Sequence, residues 1–188
     1  MKKVIIAIVA VLVVVAVIVA IVMLNQKPKT KLDPINSAED LSALVEKLYE
    51  GKQEQLPSLM TQPIEVTDAD MVKMFTGLEN GNDLEYVVAS EPLMSSQAYS
   101  LVLVKVKEGV NANEIAKTMS ENIDTRKWIC VSAEKVYATS SGDVAILVMS
   151  SEERAKPVYD KFKELAENVG KEYEKTEEQP SIDEFMAE

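Results

Sequence analysis

The sequence predicts an α+β protein: an N-terminal transmembrane helix, then a two-layer sandwich in which an antiparallel sheet of about four strands carries packed helices. Three observations predict it. Val4 to Leu24 is a run of 21 residues without a charge. Beyond Ser37 the hydrophobic period switches between helical and strand spacing, in the order helix, helix, strand, strand, helix, strand, strand, helix. The strands come in adjacent pairs separated by short breaks, as antiparallel hairpins do, with the helices segregated around them.

The apolar run follows Met1-Lys2-Lys3. At about 1.5 Å per residue a helix of this length spans roughly 31 Å, matching a hydrocarbon core of about 30 Å. Its Val and Ile residues are weak helix formers in water, but lipid offers the backbone no other way to satisfy its hydrogen bonds. The run exceeds a cleavable signal's apolar region, ends Ala20-Ile21-Val22-Met23-Leu24 without an Ala-x-Ala site, and has no cysteine after it. An uncleaved anchor with ends at Val4 and Leu24 is therefore expected. Lys2 and Lys3 on one side nearly balance Lys27, Lys29 and Lys31 on the other. Short N-terminal tails stay inside, which places the bulk of the chain outside the cytoplasm on a single-pass anchor.

Residues 25–36, NQKPKTKLDPIN, read as a spacer: two prolines, three lysines and little apolar content. Fully extended, such a segment reaches about 40 Å. A domain over residues 37–170 follows. Ser37 and Asp40 form a capping-box pattern ahead of Leu41, Leu44, Val45 and Leu48, and Gly51 supplies the stop. A second, short helix follows Thr67, with Asp68 and Asp70 in its first turn, an apolar face of Met71, Val72, Met74 and Phe75, and Gly77 at its end. Asn80-Gly81-Asn82 marks a turn. Leu84 to Ser90 alternates as a strand, and Ala98 to Lys107 is a second, whose near-continuous apolar run suits a central position. Asn111 or Asn113 caps a helix running to about Ile123. Strands over Lys135 to Ser140 and Val144 to Met149 flank the tight turn Ser141-Gly142-Asp143. The last helix covers Ser151 to Val169, with Pro157 marking its start or a kink. The final six elements repeat strand-strand-helix as a topological echo without residue-level repetition. Residues 171–188, with two basic and seven acidic side chains, read as a frayed helix end and an acidic disordered tail. Ile182, Phe185 and Met186 interrupt the acid at the spacing of one helical turn.

Beyond Leu24 the chain holds 31 acidic and 18 basic residues, a net charge of −13. Nucleic-acid binding needs a basic footprint and is excluded. With one Cys and six Gly, disulfide-rich and collagen-like classes are excluded too. The absence of His removes histidine metal sites and histidine-based triads. Cys130 lies near Arg126 and Lys127, cations that activate a thiol when they face it. It has no base, though, and sits between Ile129 and Val131, so a small buried apolar residue is expected. Trp128 is the only tryptophan. Beside Arg126 and Lys127 it is either a core plug or a recognition residue, and this triplet is the candidate partner surface. Asp68 and Asp70 fit a helix start better than a catalytic pair. Asn80, Asn82 and Asp83 offer oxygens to a cation without the spacing of a calcium loop. No phosphate-cradling loop or zinc pattern occurs, so no catalytic residue, metal site or cofactor is expected.

The segments Leu84-Glu85-Tyr86-Val87-Val88-Ala89-Ser90 followed by Glu91-Pro92-Leu93-Met94, the strand Ser100 to Lys107, Asp124-Thr125-Arg126-Lys127-Trp128-Ile129-Cys130-Val131, and Gly142-Asp143-Val144-Ala145-Ile146-Leu147-Val148-Met149 carry a resemblance. Over roughly residues 39–168 the chain resembles a family of small membrane- or lipid-anchored extracytoplasmic bacterial proteins of Firmicutes (Clostridia) type, known only as a domain of unknown function. The resemblance implies fold and location, and no activity, ligand or catalytic residue. Many such proteins look lipid-anchored through an N-terminal cysteine, which this chain lacks, in keeping with a transmembrane anchor instead. The expectation is a membrane-anchored, non-enzymatic module of the cell envelope with a protein partner. A solute- or cation-binding sensor and an enzyme of unrecognised type are the alternatives.

Overall fold

The central strands are apolar on both of their sides, so the sheet they form must be covered twice. The computed structural model describes residues 30–177 and places one helix pair on each face of a six-stranded antiparallel sheet. The elements in chain order are α1 (Ala38–Tyr49), β1 (Leu59–Ile64), α2 (Ala69–Thr76), β2 (Leu84–Pro92), β3 (Ser100–Val106), α3 (Ala112–Asn122), β4 (Lys135–Ser141), β5 (Val144–Ser150), α4 (Glu152–Ala166) and β6 (Tyr173–Thr176). The sheet order is β1-β2-β3-β5-β4-β6. The α+β class and the antiparallel hairpins agree with the sequence. Two expectations do not. The sheet has six strands rather than about four, and the sandwich has three layers rather than two.

The alternation of side chains across the strands separates the two cores. On one face Val87, Ala89, Val102, Val104, Ala145, Leu147 and Met149 pack with Val72 and Phe75 of α2 and with Ala112, Ala116 and Met119 of α3. On the other, Val88, Leu101, Leu103, Ile146 and Val148 pack with Leu41, Leu44, Val45 and Leu48 of α1 and with Val158, Tyr159 and Phe162 of α4. Register keeps the faces apart: Val102 lies opposite Leu147 and Leu103 opposite Ile146. Hairpins β2–β3 and β4–β5 meet through β3 and β5, and each is preceded by a helix on the same face. The two-fold unit about the β3–β5 pair is thus helix-strand-strand, not the expected strand-strand-helix, because the helices that follow the two hairpins, α3 and α4, lie on opposite faces.

The caps follow the sequence signals. Ser37 Oγ accepts from the Asp40 amide at 3.2 Å, while the Asp40 carboxylate accepts from the Asn36 amide at 2.8 Å. Asp68 caps α2, and Gly77 closes it at φ +75°. Asn111 caps α3. Helix α4 starts before Pro157, which lies inside it.

Both additional strands are edges. β1 carries Thr61, Gln62 and Pro63 and pairs with β2 alone. β6 reads Tyr173-Glu174-Lys175-Thr176 and pairs with β4, so the sheet extends into the stretch read as a tail. At the other terminus, part of the stretch read as spacer is docked on the domain. The Lys31 amide donates to the Ala166 carbonyl at 3.1 Å, Lys31 pairs with Glu167, Asp33 pairs with Lys47 at 2.6 Å, and Ile35 is buried. The proposed anchor, Val4 to Leu24, and residues 178–188 lie outside the described residues. No helix among the described residues is long and apolar enough to cross a membrane.

Candidate functional site

The start of β3 and the end of β2 lie side by side at one end of the sheet. There the inward alternation that buries Val87 and Ala89 brings the Glu91 side chain onto the same face, beside Ser100. The loop from Ile123 to Glu134 passes over this end. It is held by the Ala133 amide donating to the Thr125 carbonyl at 2.8 Å and the Ile129 amide donating to the Ser95 carbonyl at 3.0 Å. It delivers Lys127 and Trp128 to Glu91.

Lys127 Nζ donates to Glu91 Oε1 at 2.7 Å and to Ser100 Oγ at 3.3 Å. Ser100 Oγ donates to the same carboxylate oxygen at 2.5 Å, and Trp128 Nε1 donates to Oε2 at 3.3 Å. The ammonium also lies 5.1 Å from the Phe75 ring centroid and 5.4 Å from that of Trp128, within cation–π range. The Lys127 and Glu91 side chains are only 11% and 15% exposed. Burial pulls the Lys127 amine below the usual lysine range, against the opposing pull of Glu91. On the opposite face Tyr99 donates to the Tyr49 hydroxyl at 3.3 Å, and Thr61 to Ser90 at 3.0 Å. Desolvation pushes the Tyr49 phenol up to about 12 and Tyr99 well above its ordinary value.

A serine beside a lysine raises the question of nucleophilic chemistry. The geometry answers it: Ser100 is fully buried, and its proton goes to Glu91 instead of to an amine base. The cluster therefore holds the loop in place. Several large apolar side chains of this loop and of the β2–β3 connection are exposed. Ile129 is 66% exposed, Leu93 63% and Met94 58%, and Cys130 is exposed at φ +59°. Met60 of β1, opposite Glu91 in the register, is exposed at the same end. These side chains share this end of the sheet with the half-buried Trp128, an apolar rim of the domain.

The candidate triplet is thus divided. Arg126 projects to solvent, Lys127 is turned inward, and Trp128 lies between, its ring packed on the core. Trp128 thus packs on the core, as the plug reading expects, and stays partly exposed. Cys130 is not the small buried residue expected, because the turn that buries Lys127 reverses the chain and puts the thiol outside. Sequence reasoning missed Glu91 and Ser100 as the partners of Lys127, and Leu93, Met94 and Ile129 as exposed apolar groups. The available signal was the sequence Leu93-Met94 following Pro92, two large apolar residues in a turn.

The Asn80–Asp83 loop is internally satisfied. Asn80 Oδ1 accepts from the Asn82 amide at 3.0 Å, and the Asn82 carbonyl already holds the Lys107 ammonium at 2.7 Å. No cluster of three or more acidic, cysteine or histidine side chains suited to a metal occurs among the described residues. A cleft of about 260 Å³ lies between the docked segment 31–35 and α1, with Lys47 and Asp33 on its lining. No family model, curated protein or solved structure matches the chain.

Proposed function

We propose that this chain is a membrane-anchored, extracytoplasmic, non-enzymatic interaction module of a bacterial cell envelope, as the resemblance implies, and that it binds an envelope protein through the apolar rim around Trp128. The observation that carries the reading is the placement of that rim. Contiguous exposed apolar side chains mark protein contact sites. Ile129 sits on a loop fixed by the buried Lys127–Glu91 pair, and Leu93, on the β2–β3 connection, is held by its amide donating to the Ser58 carbonyl at 2.9 Å, so the surface is preorganised. The described chain begins at Thr30, beside Gly142 of the β4–β5 turn. That turn is at the opposite end of the sheet from Glu91 and Ile129. An anchor preceding Thr30 therefore leaves the rim facing away from the membrane.

Two measurements on the full chain in intact cells test this. Asn82→Cys in a Cys130→Ser background reacts with a membrane-impermeant thiol reagent before lysis; labelling only after lysis overturns the extracytoplasmic placement. A photoreactive side chain at position 93 captures one envelope protein, and Ile129→Asp abolishes the capture. Persistence of the capture in Ile129→Asp would overturn the assignment of the surface. The cation-sensor alternative receives less support, because Lys107 occupies the carbonyl a cation would use. The enzyme alternative receives less because Ser100 has no access to solvent.

A further inference from the structure

Segment 31–35 docks beside α1 and the end of α4 without closing on them, and the cleft of about 260 Å³ lies between. Its floor is apolar: Ile35 and Leu44 are buried, and Leu32 and Leu165 are half-buried beside them. Its rim is charged, with Lys31 and Lys47 of one sign and Asp33 and Asp40 of the other. We propose that this cleft is a binding site for a small zwitterion with an aliphatic body, an α-amino acid of leucine type.

Size, polarity and charge each select that class. At about 30 Å³ per water the cleft holds roughly nine waters, the space of leucine, isoleucine or methionine and less than a drug-sized ligand needs. An aliphatic side chain on the apolar floor releases the water there. The rim charges balance, so a lone anion or cation meets repulsion as well as attraction, whereas a zwitterion can satisfy both signs. Lys31 pairs with Glu167, and Lys47 pairs with Asp33 at 2.6 Å; all four side chains are at least half exposed. Exposed pairs of this kind are weak, so a ligand carboxylate replaces either acid at small cost. Asp40 accepts from the Asn36 amide through Oδ2, and its Oδ1 has no partner among the described residues, which leaves it for the ligand ammonium. The lining comes from the docked segment, α1 and α4, so an occupant ties the segment entering the domain to the helices beneath it. Ligand binding and docking of residues 31–35 are then linked. The proposal is independent of the membrane and partner readings.

The test uses the full chain in detergent micelles, with L-leucine as the probe. Calorimetric titration should show one saturable site. Ala43 lies exposed on α1 at the cleft, so Ala43→Trp should fill the space and abolish binding while leaving Tm unchanged. Lys47→Ala should weaken binding about tenfold. So should removing either charge of the ligand, as in 4-methylpentanoate, which lacks the ammonium, and leucinamide, which lacks the carboxylate. With leucine at about ten times its Kd, hydrogen exchange of the Lys31 amide, bonded to the Ala166 carbonyl, should slow about tenfold. No saturable binding with a Kd below about 1 mM would overturn the proposal. Binding that survives Ala43→Trp, or unchanged Lys31 exchange, would overturn the assignment to this cleft. Equal binding of 4-methylpentanoate or leucinamide would overturn the zwitterion.

Discussion

Replacing Glu91 by Ala tests the buried ion pair directly. The carboxylate accepts from Lys127, Ser100 and Trp128 at 2.7, 2.5 and 3.3 Å. Without it the Lys127 ammonium keeps the Ser100 hydroxyl and two ring faces, in a site that exposes 11% of its side chain. Removing one partner of a buried pair costs about 3–5 kcal/mol, whereas replacing both by apolar groups of similar volume is often neutral. Glu91→Ala is therefore expected to cost about 3–4 kcal/mol at neutral pH, about 10 °C in Tm for a domain of this size. The double variant Glu91→Leu/Lys127→Met should fall within about 1 kcal/mol of the unaltered chain. Urea unfolding followed by the emission of Trp128, the only tryptophan, reads all three proteins from inside the cluster. Burial already holds the Lys127 amine below 10.5, and losing Glu91 lowers it further. The unfolded chain then binds that proton more tightly than the folded one, so the Glu91→Ala defect should shrink as pH rises towards 10.5. A cost below about 1 kcal/mol for Glu91→Ala, or a double variant as destabilised as Glu91→Ala, would refute the reasoning.

The remaining predictions concern the backbone and the tyrosines. Gly77→Ala should cost well over 2 kcal/mol, about twice Gly109→Ala or more. Both positions have positive φ, but a Cβ at Gly77 would lie 2.6 Å from the Ile123 amide nitrogen, whereas at Gly109 it meets open space. Chemical unfolding of the two variants decides it, and equal costs would remove the role of the α2–α3 contact. Tyr49, raised to about 12, and Tyr99 and Tyr159, raised further, are all protonated in the fold above the unfolded value of 10.0. Their stabilisation is complete below pH 10 and is lost above it, at about 1.4 kcal/mol per pH unit for each group. Ultraviolet absorbance of phenolate should show these three titrating together with unfolding; independent titration in the folded chain would contradict the burial.

The parts of the fold legible in the sequence were those governed by local chemistry. Ser37, Asp68, Asn111 and Gly77 act on amides and carbonyls within one turn, so their spacing alone identifies them. The second helical layer was also written in the sequence, though read incompletely. Leu101 to Val104 and Val144 to Met149 do not alternate, and a strand apolar on successive residues buries both faces. The edge strands left no such mark, because Thr61, Gln62, Glu174 and Lys175 are polar and at least partly exposed on strands with one neighbour, and Pro63 is tolerated only at an edge. The site was illegible for a different reason. Arg126 and Lys127 are adjacent cations, and only the fold brings Glu91, 36 residues earlier, to one of them. That contact turns Lys127 inward and leaves Arg126 and Cys130 outside.

On the proposed reading of Val4 to Leu24 as an anchor, the docking of Lys31 and Ile35 alters the mechanics of attachment. Read as a free spacer, residues 25–36 would let a domain wander about 40 Å from the bilayer. With Thr30 already fixed against the domain, only residues 25–29 separate it from the apolar run, a leash of about 17 Å. Strands of about seven residues hold the rim another 23 Å or so beyond that point. With the run 4–24 in a bilayer as proposed, the height of the proposed contact surface varies by no more than that leash allows. Encounters with a partner anchored in the same membrane then become a search in two dimensions at matched elevation.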